Sequence, residues 1–252
     1  MKKKIIVLCL VACLAVTAVA GATLAYFTAE DSADNVFTMK GIQVEINEDF
    51  DPENAELLPG LDINKDVWVT NTGTTDAYVR VHIAIPAALD DGDPSFNASN
   101  NFLHFNFTED SVQPGQWSWT PEMNEDVGYR GNGEGNWNYY TATIDGIDYG
   151  VYVVTYRTAL AAGEQTATTA LDKVYVDKSV ECVWNAEKEC YEYTDTKGNI
   201  ITPDRFADAN GNIKIKVFAE AAQTATFTDA YDALNTAFGT PGSDGYVAPW
   251  NR

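Results

Sequence analysis

The sequence predicts an all-β protein, an antiparallel β-sandwich that ends in one short helix. Apolar and polar residues alternate with a period of two in several segments between residues 42 and 217, the pattern of strands that bury one face. Turn-forming pairs such as Pro59-Gly60, Asp145-Gly146 and Asn210-Gly211 separate these segments, and many short strands joined by such turns are typical of a sandwich. No repeat or low-complexity linker divides the chain, so we expect one domain over residues 26–252.

Residues 1–25 have the three parts of a secretory signal peptide. The chain opens with three lysines, continues with an apolar run from Ile5 to Ala20, and then places the small residues Thr23 and Ala25 before an aromatic pair. Cleavage between Ala25 and Tyr26 is therefore predicted, which leaves 227 of the 252 residues. The apolar run is shorter than the ~20 residues of a stable membrane span. Two alternatives stay open: lipidation of Cys13, and an uncleaved membrane anchor.

The alternating segments place the strands along the chain. We expect strands at residues 42–46, 79–85, 103–107, 151–156, 174–176 and 213–217, where aliphatic and aromatic residues recur. The intervening positions form a wetter face, as in antiparallel sheets with one side in solvent. His82 and His104 are the two histidines of the chain, and both fall on such a face. We therefore expect both at the surface.

One helix is predicted near the C-terminus. Apolar residues recur there at helical spacing, at positions 227, 231, 234 and 238. Thr228 can cap the first turn, Asp229 and Asp232 suit that turn, and Gly239 can end the helix. We expect this helix to pack against an edge or an end of the sandwich.

The mature chain keeps two of the four cysteines, Cys182 and Cys190. They flank a segment that is typical of a hairpin with its turn near Ala186, an arrangement that would set the two cysteines opposite each other. Because exported proteins meet oxidising conditions, we expect one disulfide between them. Two free thiols are the alternative.

The charge of the chain excludes one class of partner. The formal net charge is −21, and the signal peptide carries three of the 16 basic residues and none of the 37 acidic ones, so the mature chain has a charge of −24. Such a surface repels nucleic acid and anionic lipid, and we expect no nucleic-acid partner. With 45% hydrophobic and 12% aromatic residues the chain can form a sizeable core.

Motifs of the common enzyme classes are absent from the sequence. It holds no H-E-x-x-H, no G-x-S-x-G, no Walker loop and no dinucleotide fingerprint. We therefore predict no enzyme, no catalytic residue and no required cofactor. Asp204, Asp208, Asn210 and Asn212 surround one turn whose oxygens could hold Ca²⁺, with a solvated turn as the alternative.

An aromatic-rich group in the middle of the chain has two interpretations. Its members could stack on a sugar ring or could form core and cross-strand pairs. They are Trp117, Trp119, Trp137, Tyr139, Tyr140, Tyr149 and Tyr152.

Four features, taken in order along the chain, point to one family. They are the signal with its aromatic end Tyr26-Phe27, the first strand from Phe37 to Ile46, the series Leu58-Pro59-Gly60, Asn71-Thr72-Gly73 and Val79-Arg80-Val81, and residues 213–218 with their continuation Ala219 to Gln223. This order resembles the TasA/camelysin family of exported proteins of Gram-positive bacteria, which carry signal peptides of the SipW-dependent type. The likeness covers both ends of the chain closely and the middle third loosely.

The resemblance implies a jelly-roll sandwich and a structural role in the extracellular matrix or at the cell surface. It implies processing by a SipW-type signal peptidase, and assembly with copies of itself or with other matrix or cell-wall components. An unpaired sheet edge can accept a strand from another chain, and the family suggests that the donor is the freshly cut N-terminus, here Tyr26 and Phe27 onwards to about Asn35. Some members are labelled metalloproteases. A surface adhesin or carbohydrate-binding module, and a camelysin-like metalloprotease, are the alternatives.

Overall fold

The computed structural model describes residues 41–51, 58–89, 102–106, 116–118, 138–194, 198–207 and 212–251. Several residues singled out above lie outside the described residues: Ala25, Tyr26, Phe27, Trp119, Trp137, Asp208 and Asn210. The cleavage site and the donor segment therefore stay predictions.

The described residues form twelve strands and one α-helix. The strands are β1 (Val44–Asp49), β2 (Asp62–Asn71), β3 (Ala77–Pro86), β4 (Leu103–Asn106), β5 (Trp117–Ser118), β6 (Tyr139–Ile144), β7 (Ile147–Tyr156), β8 (Leu171–Val176), β9 (Glu181–Asn185), β10 (Cys190–Thr194), β11 (Ile200–Ile201) and β12 (Lys216–Gln223). The helix α1 spans Ala230–Phe238. The prediction of an all-β fold with one short C-terminal helix is confirmed.

Two antiparallel sheets form a sandwich. One sheet has the strand order β1–β2–β8–β4, and the other has the order β12–β3–β7–β5, with β6 also paired to β7. The chain passes between these sheets from β2 to β3, from β3 to β4, from β4 to β5 and from β7 to β8, as it does in Greek-key sandwiches, to which jelly rolls belong. A third sheet, β11–β10–β9, contains the predicted hairpin.

The core lies between the two large sheets. Val67 and Val69 of β2 are fully buried there, and so are Val79, Val81 and Ile83 of β3. Burying each such side chain contributes about 1.5–3 kcal/mol relative to leaving it in water. The period-two alternation of these strands therefore marks the core face correctly.

The opposite face of β3 is also buried, contrary to the prediction of a wet face. Arg80 is 1% exposed and His82 is 0% exposed, because the chain after β12 covers this side of the sheet. His104 is 5% exposed on the other large sheet. The expectation that both histidines lie at the surface is therefore wrong. Alternation in sequence shows that two faces differ in polarity, but it cannot show whether a further layer covers the polar one.

The helix forms at the predicted residues, but its N-terminal cap and the surface on which it packs differ from the prediction. Asp229 caps it, accepting a hydrogen bond from the backbone N of Asp232 at 2.9 Å, and Thr228 does not. Gly239 ends it with a φ of 87°. The buried face of α1 packs with Ala222 of β12, so the helix covers the outer face of the sheet rather than an edge or an end.

Two strands are shifted from their predicted positions. β1 begins at Val44, and Ile42 before it is 39% exposed. The last strand runs from Lys216 to Gln223, whereas Ile213 forms only an isolated bridge. The whole stretch from Ala219 to Gln223 therefore pairs with β3.

Candidate functional site

In the part of the chain that the structure describes, one side of the sandwich is open between the edge strands β1 and β12. Among the described strands, β1 pairs with β2 alone and β12 with β3 alone, and β1 contacts β12 across the sandwich. The apolar residues that pack on the core there are only half-buried: Val44, Ile46, Val217, Ala219 and Ala221. These five residues are called the open side below. They leave apolar area and two strand edges available to a further strand.

The Asn71-Thr72-Gly73 motif fixes where the chain enters β1. The fully buried Asn71 donates from Nδ2 to two backbone carbonyls at 2.8 and 2.9 Å, and its Oδ1 accepts from the Gly73 N at 3.0 Å. The Gly73 N also donates to the Gln43 carbonyl at 2.9 Å. A Cβ at residue 73 would lie 2.6 Å from the Gly41 carbonyl oxygen, so glycine is required there. The motif therefore sets the point at which the preceding chain reaches the open side.

A buried chain of polar groups lies on the outer face of the second sheet. Arg80 and Glu220 are direct cross-strand partners, and Arg80 donates from Nε to Glu220 Oε2 at 2.6 Å. The same carboxylate oxygen lies 3.0 Å from His82 Nε2. Arg80 also donates to Asn235 Oδ1 at 3.0 Å and to the Gly239 carbonyl at 3.2 Å. One arginine thus ties β3 to β12 and to α1.

The hydrogen bonds continue from His82 to the end of the described chain. His82 Nδ1 lies 3.1 Å from the Tyr140 hydroxyl, which accepts from Trp250 Nε1 at 3.0 Å. Because an indole only donates and an ionised carboxylate only accepts, we assign Trp250 as the donor to the Tyr140 oxygen and His82 Nε2 as the donor to Glu220. In this assignment every member has a partner, as a buried polar network requires.

Two members of this network have pKa values that are shifted from their usual range. Burial alone would raise the pKa of Glu220, but the hydrogen bond from His82 and the charge of Arg80 outweigh it and lower the pKa from 4.5 to about 2. Burial raises the pKa of Tyr140 well above its usual range. The cluster therefore keeps an ionised Glu220 and a neutral Tyr140 over the whole physiological range.

His104 is held in a separate place. Its Nε2 lies 3.0 Å from Asp177 Oδ2, and its ring stacks on Tyr175 with centroids 5.0 Å apart. Burial tends to raise the pKa of Asp177, but hydrogen bonds from Ser179 and His104 outweigh it and lower the pKa. This histidine fixes a side chain at the end of β8 and is not near His82, which lies on the other sheet.

The hairpin forms as predicted, but its two cysteines are not opposite each other. Cys182 faces Tyr193, and Cys190 faces Asn185, so the thiols are offset by three positions, about 10 Å along a strand. A disulfide needs Cα atoms within about 7 Å. Both thiols are free, and the predicted disulfide does not fit this register. The four-residue turn from Ala186 to Glu189 causes the offset, because it makes Asn185 and Cys190 the first pair of the hairpin.

The calcium candidates are not brought together by anything the structure describes. Asp208 and Asn210 lie outside the described residues, and for Asp204 only the backbone is described, as part of a 3₁₀ turn. Asn212 is exposed. Calcium binding at this turn therefore stays a prediction.

The described members of the aromatic group are mostly structural. Trp117, Tyr149 and Tyr152 are each 1% exposed, in line with core and cross-strand packing. Tyr139 and Tyr140 also line a cleft at the surface, although the Tyr139 ring meets the core residue Tyr152 edge to face and Tyr140 is only 8% exposed. Sequence reasoning missed the pairing of Arg80 with Glu220, which are 140 residues apart. The available signal was two ionisable residues, Arg80 and His82, on a strand that is otherwise mostly apolar.

Comparison with known proteins supports the resemblance over part of the chain. Residues 1–101 match the sequence profile of the camelysin metallo-endopeptidase family. A comparison with curated proteins found no match. The likeness to the TasA/camelysin family is thus confirmed for the segment that contains the predicted signal, β1, β2 and β3.

The family description implies a metal, and the described residues do not fit one. A zinc site needs three or four nitrogen, sulfur or carboxylate ligands around one point. Within the described ranges, no three histidine, cysteine or acidic side chains converge in this way. Both ring nitrogens of His82 are used by Tyr140 and Glu220, and His104 is paired with Asp177.

Within the ranges that the structure describes, no helix has the length and apolarity needed to cross a bilayer.

Proposed function

We propose that the mature chain is a non-enzymatic structural protein that assembles with copies of itself by strand addition at the open side. The half-buried apolar residues between β1 and β12, next to two strand edges, carry this proposal. An added strand would pair with an edge and cover apolar area that the two sheets leave half exposed. The resemblance to the TasA/camelysin family, whose profile residues 1–101 match, is compatible with the same role.

The donor in this proposal is the N-terminal segment released by the signal peptidase. Tyr26 and Phe27, if fully buried on a neighbouring copy, would contribute about 1.5–3 kcal/mol each. Ladder hydrogen bonds add about 0.5–1.5 kcal/mol each, while ordering the strand costs ~1–2 kcal/mol per residue. The net gain per contact is modest, so assembly depends on concentration.

The proposed setting is the extracellular matrix or surface of a Gram-positive bacterium, after processing by a SipW-type peptidase. The signal-like residues 1–25 and the family match support this setting. The protease alternative is disfavoured by the two histidines, since each is buried and bound to a carboxylate. If the purified protein shows peptidase activity that a metal chelator abolishes, the protease alternative is restored.

The donor is tested by comparing the protein that starts at Tyr26 with one that starts at Val36. Light scattering and electron microscopy should show fibres or large assemblies for the longer protein and monomers for the shorter one. If both remain monomeric at high concentration and high salt, the proposal is wrong, and the adhesin alternative takes its place.

The acceptor is tested by Ala219→Glu, which places a charge on the open side. We expect this variant to fold and to lose assembly, because a charge cannot be covered by an apolar strand. Val183→Glu is the matched control, since Val183 is 59% exposed on β9, which belongs to the third sheet and pairs with neither β1 nor β12. Circular dichroism checks the fold of both. Assembly of Ala219→Glu at the level of the parent would contradict the proposed acceptor.

A further inference from the structure

A surface cleft of about 670 Å³ lies between β6 and the chain that follows α1. Its size falls within the about 300–1,000 Å³ of small-molecule sites. The described residues that line it are Tyr139, Tyr140, Thr141, Gly242, Ser243, Tyr246, Val247, Ala248 and Asn251. The cleft lies on the outer face of the second sheet and does not include the open side.

We propose that this cleft binds a neutral saccharide. All the described residues that line it are uncharged, so these residues offer no charged partner for a phosphate, a carboxylate or an amine. Tyrosine rings provide flat apolar surfaces for the C–H face of a sugar ring. The exposed residues Thr141 and Asn251 carry a hydroxyl and an amide, and the exposed Ser243 hydroxyl, which donates to the Thr240 carbonyl, can still accept. Such groups match the hydroxyls of a sugar.

The aromatic wall of the cleft is held rigidly. The rings of Tyr140 and Tyr246 meet edge to face, with centroids 5.2 Å apart and planes at 67°. The Tyr140 hydroxyl is fixed by Trp250 and His82, so the buried network described above supports this wall. Such prior positioning lowers the entropic cost of binding.

The opposite wall is held close to β6 by one glycine. Gly242 has a φ of 76°, and a Cβ there would lie 2.8 Å from the Tyr139 carbonyl oxygen. The chain after α1 therefore touches β6 directly at the base of the cleft. Tyr246 then lies half-buried, with part of its surface available to a ligand.

The charge of the whole molecule favours a neutral ligand over an acidic one. A net charge of −24 on the mature chain repels anionic polysaccharides. Neutral oligosaccharides experience no such repulsion. We expect binding to be nearly independent of salt, unlike assembly of the chain.

The test is a titration of the ¹⁵N-labelled protein that starts at Val36, which lacks the proposed donor and so stays monomeric if that proposal is right. The probes are two neutral oligosaccharides, cellohexaose and N-acetylchitohexaose, and one acidic one, oligogalacturonate. We expect amide shifts at Val247 and Ala248 with at least one neutral probe, and none with the acidic probe. If neither neutral probe shifts these amides at ~10 mM, a concentration that populates even weak sites, the inference is wrong.

A pair of tyrosine variants locates the binding. Tyr246→Ala removes a ring from the cleft, and we expect affinity to fall by about tenfold or more. Tyr191→Ala is the matched control, because Tyr191 also meets an aromatic neighbour edge to face, Trp184 at 5.1 Å, but on the hairpin. Equal affinity of Tyr246→Ala and the parent, or loss in Tyr191→Ala alone, would overturn the assignment to the cleft. Ser243→Ala, which removes one hydroxyl and no ring, should weaken binding less and guards against misfolding of Tyr246→Ala.

Discussion

Replacing Arg80 should lower the free energy of unfolding strongly. It is 1% exposed and donates to Glu220, Asn235 and the Gly239 carbonyl. Arg80→Met keeps much of the side-chain volume but leaves the Glu220 carboxylate without its cation. Removing one partner of a buried pair typically costs about 3–5 kcal/mol. We expect a loss of that size in the free energy of unfolding, measured by denaturant titration.

A matched arginine provides the control for this prediction. Arg205 lies in a 3₁₀ turn and is exposed, so Arg205→Met should change stability by less than about 0.5 kcal/mol. If the two variants are equally stable, the Arg80 network contributes nothing specific to the fold.

The low pKa of Glu220 makes stability depend on pH in one window. Because the folded-state pKa of about 2 lies below the ordinary 4.5, the stabilisation is complete above about pH 4.5 and is lost as the pH falls towards about 2. We expect the melting temperature of the parent to drop across this window. Glu220→Gln, which cannot titrate, should start lower and drop less. A parallel decline in both proteins would show that other carboxylates dominate.

At the scale of the elements, the turn between β2 and β3 positions β1. Gly73→Ala should weaken the docking of β1, since its Cβ would meet the Gly41 carbonyl oxygen at 2.6 Å and the Gln43 N at 2.8 Å. Crowding of this kind costs about 1–3 kcal/mol. The measurement is hydrogen exchange of the β1 amides together with global unfolding.

A second glycine in the same region is the control for that prediction. A Cβ on Gly41 would meet nothing within 4 Å, so Gly41→Ala should leave exchange in β1 unchanged and stability within about 1 kcal/mol of the parent. Faster exchange in both variants would mean that the loss of glycine flexibility, rather than the close approach at residue 73, is responsible.

The register of the β9–β10 hairpin predicts that both thiols are reduced. Since Cys182 faces Tyr193 and Cys190 faces Asn185, we expect two alkylatable thiols in native monomer. Mass spectrometry after alkylation without reductant would detect both labels. A linked Cys182–Cys190 peptide would show that the hairpin adopts another register in the oxidised protein.

On the scale of the whole molecule, the net charge, −21 for the full chain and −24 after the predicted cleavage, opposes the association of copies. Raising the ionic strength from 0.01 to 0.15 M shortens the Debye length from about 30 to about 8 Å. Assembly through the open side should therefore begin at a lower protein concentration in the higher salt. Light scattering at a series of concentrations would measure this threshold, and a threshold that rises with salt would argue for attraction between unlike charges instead.

The fold was largely predictable from the sequence, because strand periodicity and turn residues are local signals. The outer layer was not, since nothing in the alternation of β3 distinguishes a face in water from a face beneath α1. Arg80 and Glu220 come together only through the register of β3 with β12, which no local pattern reports. The hairpin that carries the two cysteines was predicted, but its register was not. The register depends on the length of the turn, and a change of one residue in that length changes every cross-strand pair of the hairpin.

The separation between Arg80 and its partners bears on the order in which an exported chain can fold. Arg80 is synthesised 140 residues before Glu220 and 155 residues before Asn235. Until those residues emerge, β3 carries an uncompensated cation on a face that the finished protein buries, so a stable sandwich should not close before they are synthesised. We expect chains truncated at residue 210 to be digested rapidly by protease, and resistance of such chains would show that the sandwich closes early. A delay of this kind would keep the precursor unfolded, as passage through an export channel requires.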